Sequence, residues 1–154
     1  MSALKVALVI TGFSLAAIQF IRPRRNNGGK LFQSDITRVT GVPDTIKVIL
    51  KNACYDCHSD HTRYPWYFYT QPVAWFISGH IEHAKKELNF DEFGSYTRRR
   101  KKSKLRGIVN SIHDNTRPLP SYRLMHRDAR LNKNEKELVM NWAERFKDSL
   151  SSGN

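Results

Sequence analysis

The chain has 154 residues, room for one domain and little more. Its formal net charge is +12, and Lys5, Arg22, Arg24, Arg25 and Lys30 all lie in a first stretch that holds no acid. A basic surface of this kind suits acidic proteins or anionic lipid, and no recognised nucleic-acid motif supports DNA or RNA as a partner.

Val6 to Ile21 is an apolar run broken only by small or weakly polar residues and Gln19, with Arg22-Pro23-Arg24-Arg25 behind it. Sixteen helical residues span about 24 Å, short for a bilayer core but extendable through Ala3 and Leu4. Residues 1–25 are therefore expected to form a membrane signal-anchor or a cleaved signal peptide, with the anchor favoured because the apolar segment continues past the small residues Ser14 and Ala16. Residues 26–41 read as a linker with no firm structure, and the folded domain is expected over 42–150.

Pro43-Asp44 opens a helix, since proline suits a first turn and Asp complements the positive end of the helix dipole. Ile46, Ile49, Leu50 and Ala53 carry its apolar face into Cys54-Tyr55-Asp56-Cys57-His58. This pattern, C-x-x-C-H, is the attachment signature of a c-type haem. Two thiols at this spacing can each add to one vinyl group of the same haem, and the next residue, His58, is placed to ligate the iron from below. Two other readings stand beside it. A redox dithiol would need a thioredoxin-like βαβ context, which is lacking. A zinc site would have to be completed by His58 and His61, because no second C-x-x-C or H-x3-5-H partner follows at finger spacing.

Ser59 to Tyr69 reads as a loop whose aromatics, Tyr64, Trp66 and Tyr67, either cover a haem edge or pack as ordinary core. A second helix runs from Thr70-Gln71-Pro72 to about Leu88, with Val73, Phe76, Ile77, His80, Ile81, Ala84 and Leu88 as its apolar stripe and His83 at the margin. A break follows, with a cap at Asp91 or Ser95. A third helix then covers about Tyr96 to Ile112, and its first half holds the basic run Arg98 to Lys102. That run is either a solvated face or a docking patch. Pro118-Leu119-Pro120 makes an extended loop, and a short helical turn is expected over Tyr122 to Arg127. Asn132 and Glu135 form a capping box for the last helix, whose stripe is Leu138, Val139, Trp142, Phe146 and Leu150.

The expected fold is all-α: an N-terminal apolar helix, then four to five helices around one prosthetic group. The helix ending in C-x-x-C-H, the proline loop and the aromatic-bearing last helix look like a class I c-type cytochrome. More closely, Cys54 to Ser59, Thr62 to Tyr67, Pro72 to Trp75, Glu87 to Phe90, Pro118 to Tyr122, His126, Ala129, Leu131 and Trp142 resemble a family of small bacterial haem-binding domain proteins. That resemblance implies one covalent haem c on an exported or membrane-anchored domain, and no particular reaction. It also implies a methionine just before Pro-Leu-Pro as the sixth iron ligand, where this chain has Arg117. Met125 is the first candidate to replace it, with His80, His126 and His113 as rivals. Arg117 has no lone pair for iron but can pair with a haem propionate.

These residues point to an electron carrier working with redox proteins that bear acidic docking surfaces, rather than to an enzyme. The alternative is a haem-based enzyme or gas sensor with an open or displaceable sixth position. Haem is attached to C-x-x-C-H outside the bacterial inner membrane, so the domain is expected at that membrane facing the periplasm, or free in the periplasm if the leader is cleaved. The positive-inside rule would place the Arg22–Arg25 flank in the cytoplasm; the haem motif outweighs that bias.

Overall fold

The computed structural model describes residues 2–28 and 33–152. Its secondary structure is helical: α1 (Ala3–Ile18), α2 (Ile36–Val39), α3 (Asp44–Ala53), α4 (Tyr55–His58), α5 (Val73–Glu87), α6 (Arg98–His113), α7 (Pro120–Met125) and α8 (Lys133–Ser152), with 3-10 turns at Trp66–Tyr69, Phe93–Ser95 and Arg127–Ala129. Among the described residues the only extended pairing is an isolated bridge between Asn27 and His61.

The long helices form where the sequence supplies both an apolar face and a start signal. Pro43 precedes α3, and Asp44 stands in its first turn. Thr97, rather than Asp91 or Ser95, caps α6 by accepting from the Arg100 N–H. The capping box of α8 closes in both directions, Glu135 N–H to Asn132 Oδ1 at 2.9 Å and Asn132 N–H to Glu135 Oε2 at 2.8 Å. Leu105 and Ile112 of α6 are buried in one core with Val139, Trp142 and Ala143 of α8, and Ile46, Ile49 and Leu50 of α3 join them.

Three expectations change. The first concerns the membrane-spanning anchor. α1 has 16 residues, about 24 Å of helix, and among the described residues no helix is long and apolar enough to cross a membrane. The helix stops because its end is committed to the domain. Gln19 exchanges hydrogen bonds with the Gln71 backbone, and the Ile21 carbonyl accepts from Gln71 Nε2 at 2.7 Å and Trp75 Nε1 at 3.0 Å.

The second concerns the linker. Residues 29–32 lie outside the described residues, but both flanks belong to the fold. Asn26 donates its backbone N–H to Tyr64 and its side-chain amide to Ser59 and Thr62, and accepts from Lys85 at 2.6 Å. Ile36 is fully buried, and the Asp35 side chain caps α2. Neither a lone Ile between polar residues nor a lone Asn carries a periodic signal, so the sequence gives no warning of either.

The third concerns the stripe of α5. Ala74 and Ile81 are its buried residues, whereas Val73 and Phe76 are exposed. The predicted face is turned because Gln71 and Trp75 bind the end of the N-terminal segment, leaving the first turn of α5 at the edge of the core.

Candidate functional site

α3 ends at Ala53, and Cys54 leaves helical geometry at φ −129°. Its carbonyl then accepts from the Cys57 N–H at 3.2 Å and the His58 N–H at 3.0 Å, which starts the single turn α4. This kink brings the Cys54, Cys57 and His58 side chains onto one cavity of about 280 Å³. Its walls include Leu50, Leu88, Ile108, Ile112, Leu119 and Leu131, and the exposed side chains of His80, His83, Glu87 and Arg117 border it. An apolar pocket with a few polar groups is the usual form of a cofactor site.

His58 is set for ligation by a backbone group. Its Nδ1 lies 2.8 Å from the Leu88 carbonyl. A carbonyl only accepts, so Nδ1 carries the hydrogen and Nε2 keeps the lone pair that a metal needs. The Phe90 N–H returns to the His58 carbonyl at 2.7 Å, clamping the residue from both ends. Burial pushes the His58 pKa below its ordinary value; the Leu88 carbonyl opposes this, and the Arg117 cation adds to it. The ring is thereby held neutral, the form that binds iron.

The thiols fit the same chemistry. They are unpaired and half-buried. Burial pushes Cys54 up to about 12, with Cys57 adding to the shift, and Cys57 up to about 11, with Asp56 adding. A reactive dithiol needs the opposite shift. Zinc is not supported either, because among the described residues no three His, Cys, Asp or Glu stand where they could hold a metal ion.

Asp56, inside the motif, is buried. Its Oδ1 accepts from the Arg63 backbone N–H and Nε, both at 3.1 Å, and its Oδ2 accepts from Arg63 Nη2 at 3.2 Å and from the Tyr122 hydroxyl at 2.7 Å. Tyr122 itself lines the cavity. The turn that carries Cys54, Cys57 and His58 is thus tied to α7, which follows the proline loop. Burial, followed by the hydrogen bond to Asp56, pushes the Tyr122 hydroxyl above its ordinary value and keeps it the donor.

The candidate sixth ligands separate. Met125, first in order from sequence, is 52 % exposed and is not part of the cavity wall. The proline loop is short, so α7 starts at Pro120 and spends its inward position on Tyr122. His126 is engaged elsewhere: its ring stacks on Tyr122 at 4.2 Å, and its Nε2 lies 2.8 Å from the Tyr67 hydroxyl. His113 is exposed beside Asp114. Of the four, His80 alone borders the cavity, joined by His83, one helical turn further along α5. Arg117 reaches the cavity as well, and so does Lys104, which pairs with Glu87 at 3.2 Å.

The loop aromatics do not cover this cavity. Tyr64 packs on Phe68 at 4.0 Å, and Tyr67 meets His126. The residues that sequence reasoning missed are Asp56, Arg63, Tyr122 and the Leu88 carbonyl. Asp56 carried a signal only in its place between the two cysteines; a backbone carbonyl carries none.

No curated protein and no solved structure matches this chain. A family model for a haem-binding domain matches residues 13–145, nearly the whole chain and the whole of the cavity just described. On that match the chain belongs to the haem-binding domain family.

Proposed function

We propose that the protein is a monohaem c-type cytochrome with a cytochrome c-like helical domain, carrying one haem bound covalently through Cys54 and Cys57 and axially through His58, and serving electron transfer. The observation that carries this reading is the convergence of the three side chains on one apolar cavity, with the His58 tautomer fixed by Leu88. The haem would supply a one-electron couple at the iron. The chain's own work is to fix the axial imidazole, exclude water with Leu50, Leu88, Ile112 and Leu119, and offer Arg117 to a propionate. The bordering cations and the basic run Arg98 to Lys102 on α6 suit a redox partner with an acidic docking surface. The place of work is the periplasmic face of the bacterial inner membrane, because haem is joined to C-x-x-C-H on that side.

The test is co-expression with a c-type maturation system, followed by a haem stain after denaturing electrophoresis. The parent chain keeps its haem, and Cys54→Ser with Cys57→Ser loses it. Covalent haem retained by the double variant overturns the reading.

A second reading, a gas-binding or peroxide-reactive haem, draws on the outward position of Met125 and the commitment of His126 to Tyr67. A high-spin spectrum that shifts readily with carbon monoxide favours it. A low-spin spectrum in both oxidation states, silent to carbon monoxide, favours the electron carrier. His80→Ala then tells whether that histidine is the ligand responsible.

A further inference from the structure

The haem reading leaves the other end of α5 unexplained. Ile21 is bound to Gln71 and Trp75, and the Arg25 guanidinium lies 5.1 Å from the centre of the Tyr69 ring. These contacts join the end of the N-terminal segment, the turn Trp66–Tyr69 and the first turn of α5 into one face. In a 3-10 turn residues three apart eclipse, so Trp66 shares the side of Tyr69. The face is aromatic and open: Phe20 is 87 % and Trp66 77 % exposed, with Trp75 and Tyr69 beside them. A cluster of this size on a protein surface marks a contact. Arg25 stacks on its Tyr69, Arg22 and Arg24 stand beside Arg25 in the chain, and none of the three makes an ion pair among the described residues.

We propose that this face rests on an anionic lipid surface, with Phe20, Trp66, Tyr69 and Trp75 at headgroup depth and the three arginines against lipid phosphates. Three observations favour lipid over a protein partner or a second copy. Trp and Tyr are the residues that settle at a membrane–water interface. The segment Arg22 to Arg25 carries three cations and no acid, which matches anionic headgroups. α1, which leads into this face, buries no residue and shows Leu8, Val9, Ile10 and Phe13 on different sides of its cylinder. A protein groove would cover only one side of such a helix. The contact requires no crossing of the bilayer.

The test uses the full haem-loaded chain and co-sedimentation with vesicles of phosphatidylcholine, alone or mixed with phosphatidylglycerol. The parent should bind the mixed vesicles and bind them less well as salt rises. Arg22→Gln, Arg24→Gln and Arg25→Gln should each weaken binding about fivefold. Phe20→Ser with Trp66→Ser, which leaves α1 (Ala3–Ile18) intact, should weaken it as well. Binding unchanged in that double variant means that α1 alone attaches, and the face is then not the contact. Equal binding to both vesicle types, no binding, or a concentration-dependent dimer that buries Trp66 would each overturn the proposal. The visible spectrum of the same samples reports haem attachment separately, so failure of one reading does not imitate failure of the other.

Discussion

Asp56 is a buried carboxylate, which is costly unless each of its oxygens finds a donor. Arg63 and Tyr122 supply those donors. Tyr122→Phe removes one of them while Arg63 still holds the carboxylate, so a loss of about 1–2 kcal/mol is expected in urea unfolding of the haem-free chain. An unchanged midpoint would mean that Asp56 does not depend on α7. Asp91 stands in a different position. Burial pushes its carboxyl above the ordinary value, the Asp60 N–H donated to it at 2.6 Å opposes that, and the Asp60 and Asp35 carboxylates reinforce it. A carboxyl raised by folding contributes stability that is complete below the ordinary carboxylate range and is lost as pH climbs through the raised value. Asp91→Asn, whose amide oxygen can still accept from Asp60, should therefore gain on the parent from acid toward neutral pH. Paired unfolding curves at several pH values check this, and a constant difference would contradict it. Cys54, Cys57 and His58 were legible at this scale because their chemistry depends on spacing along the chain. The partner of His58 was not, because it is the carbonyl just past the end of α5 and has no residue identity to read.

Among the elements, Gly94 shows where backbone approach rather than side-chain chemistry decides. Its N–H donates to the Ser34 carbonyl at 2.6 Å, and a Cβ added there would stand 2.8 Å from the Ser34 Cα. Gly94→Ala should push the segment before α2 off the turn Phe93–Ser95, at about 1–3 kcal/mol. A thermal melt reads the loss; wild-type stability would show that the segment can shift freely. The helices α3, α6 and α8 were foreseeable from periodicity, since their stripes meet one another in a single core. The starts of α3 and α8 were foreseeable from their first-turn signals, and the cap of α6 was not. The stripe of α5 was misread for the same reason that makes Gly94 informative. Periodicity shows that a helix has an apolar face, but which side meets the core depends on what else arrives there. At the start of α5 the arrival is the Ile21 carbonyl, from a segment that composition marks as a membrane anchor or leader.

At the scale of the molecule, the cavity means that the chain without haem lacks part of its core. Several core residues, among them Leu50, Leu88, Phe90 and Ile112, face about 280 Å³ of cavity. The form carrying Cys54→Ser and Cys57→Ser should therefore melt below the haem-loaded parent, each kcal/mol lost appearing as about 2–4 °C at this chain length. Equal melting temperatures would mean that the cofactor adds nothing to the core. Net charge was readable from the first line of the sequence, but its division was not. One basic group, Lys104 and Arg117, borders the cavity, while Arg25, with Arg22 and Arg24 beside it in the chain, stacks on an aromatic face at the far end of α5.

The clasp around Asn26 gives that division a mechanical meaning. Its amide holds Ser59, the residue directly after the motif, while its carbonyl accepts from Thr62 and its side chain from Lys85. The segment leading out of α1 is a strut rather than a leash. Whatever holds α1 therefore also sets the standing distance and tilt of the cavity. On the proposed electron-transfer role a redox partner would come to the domain, because the Asn26 contacts tie the segment after α1 to the turn that follows His58.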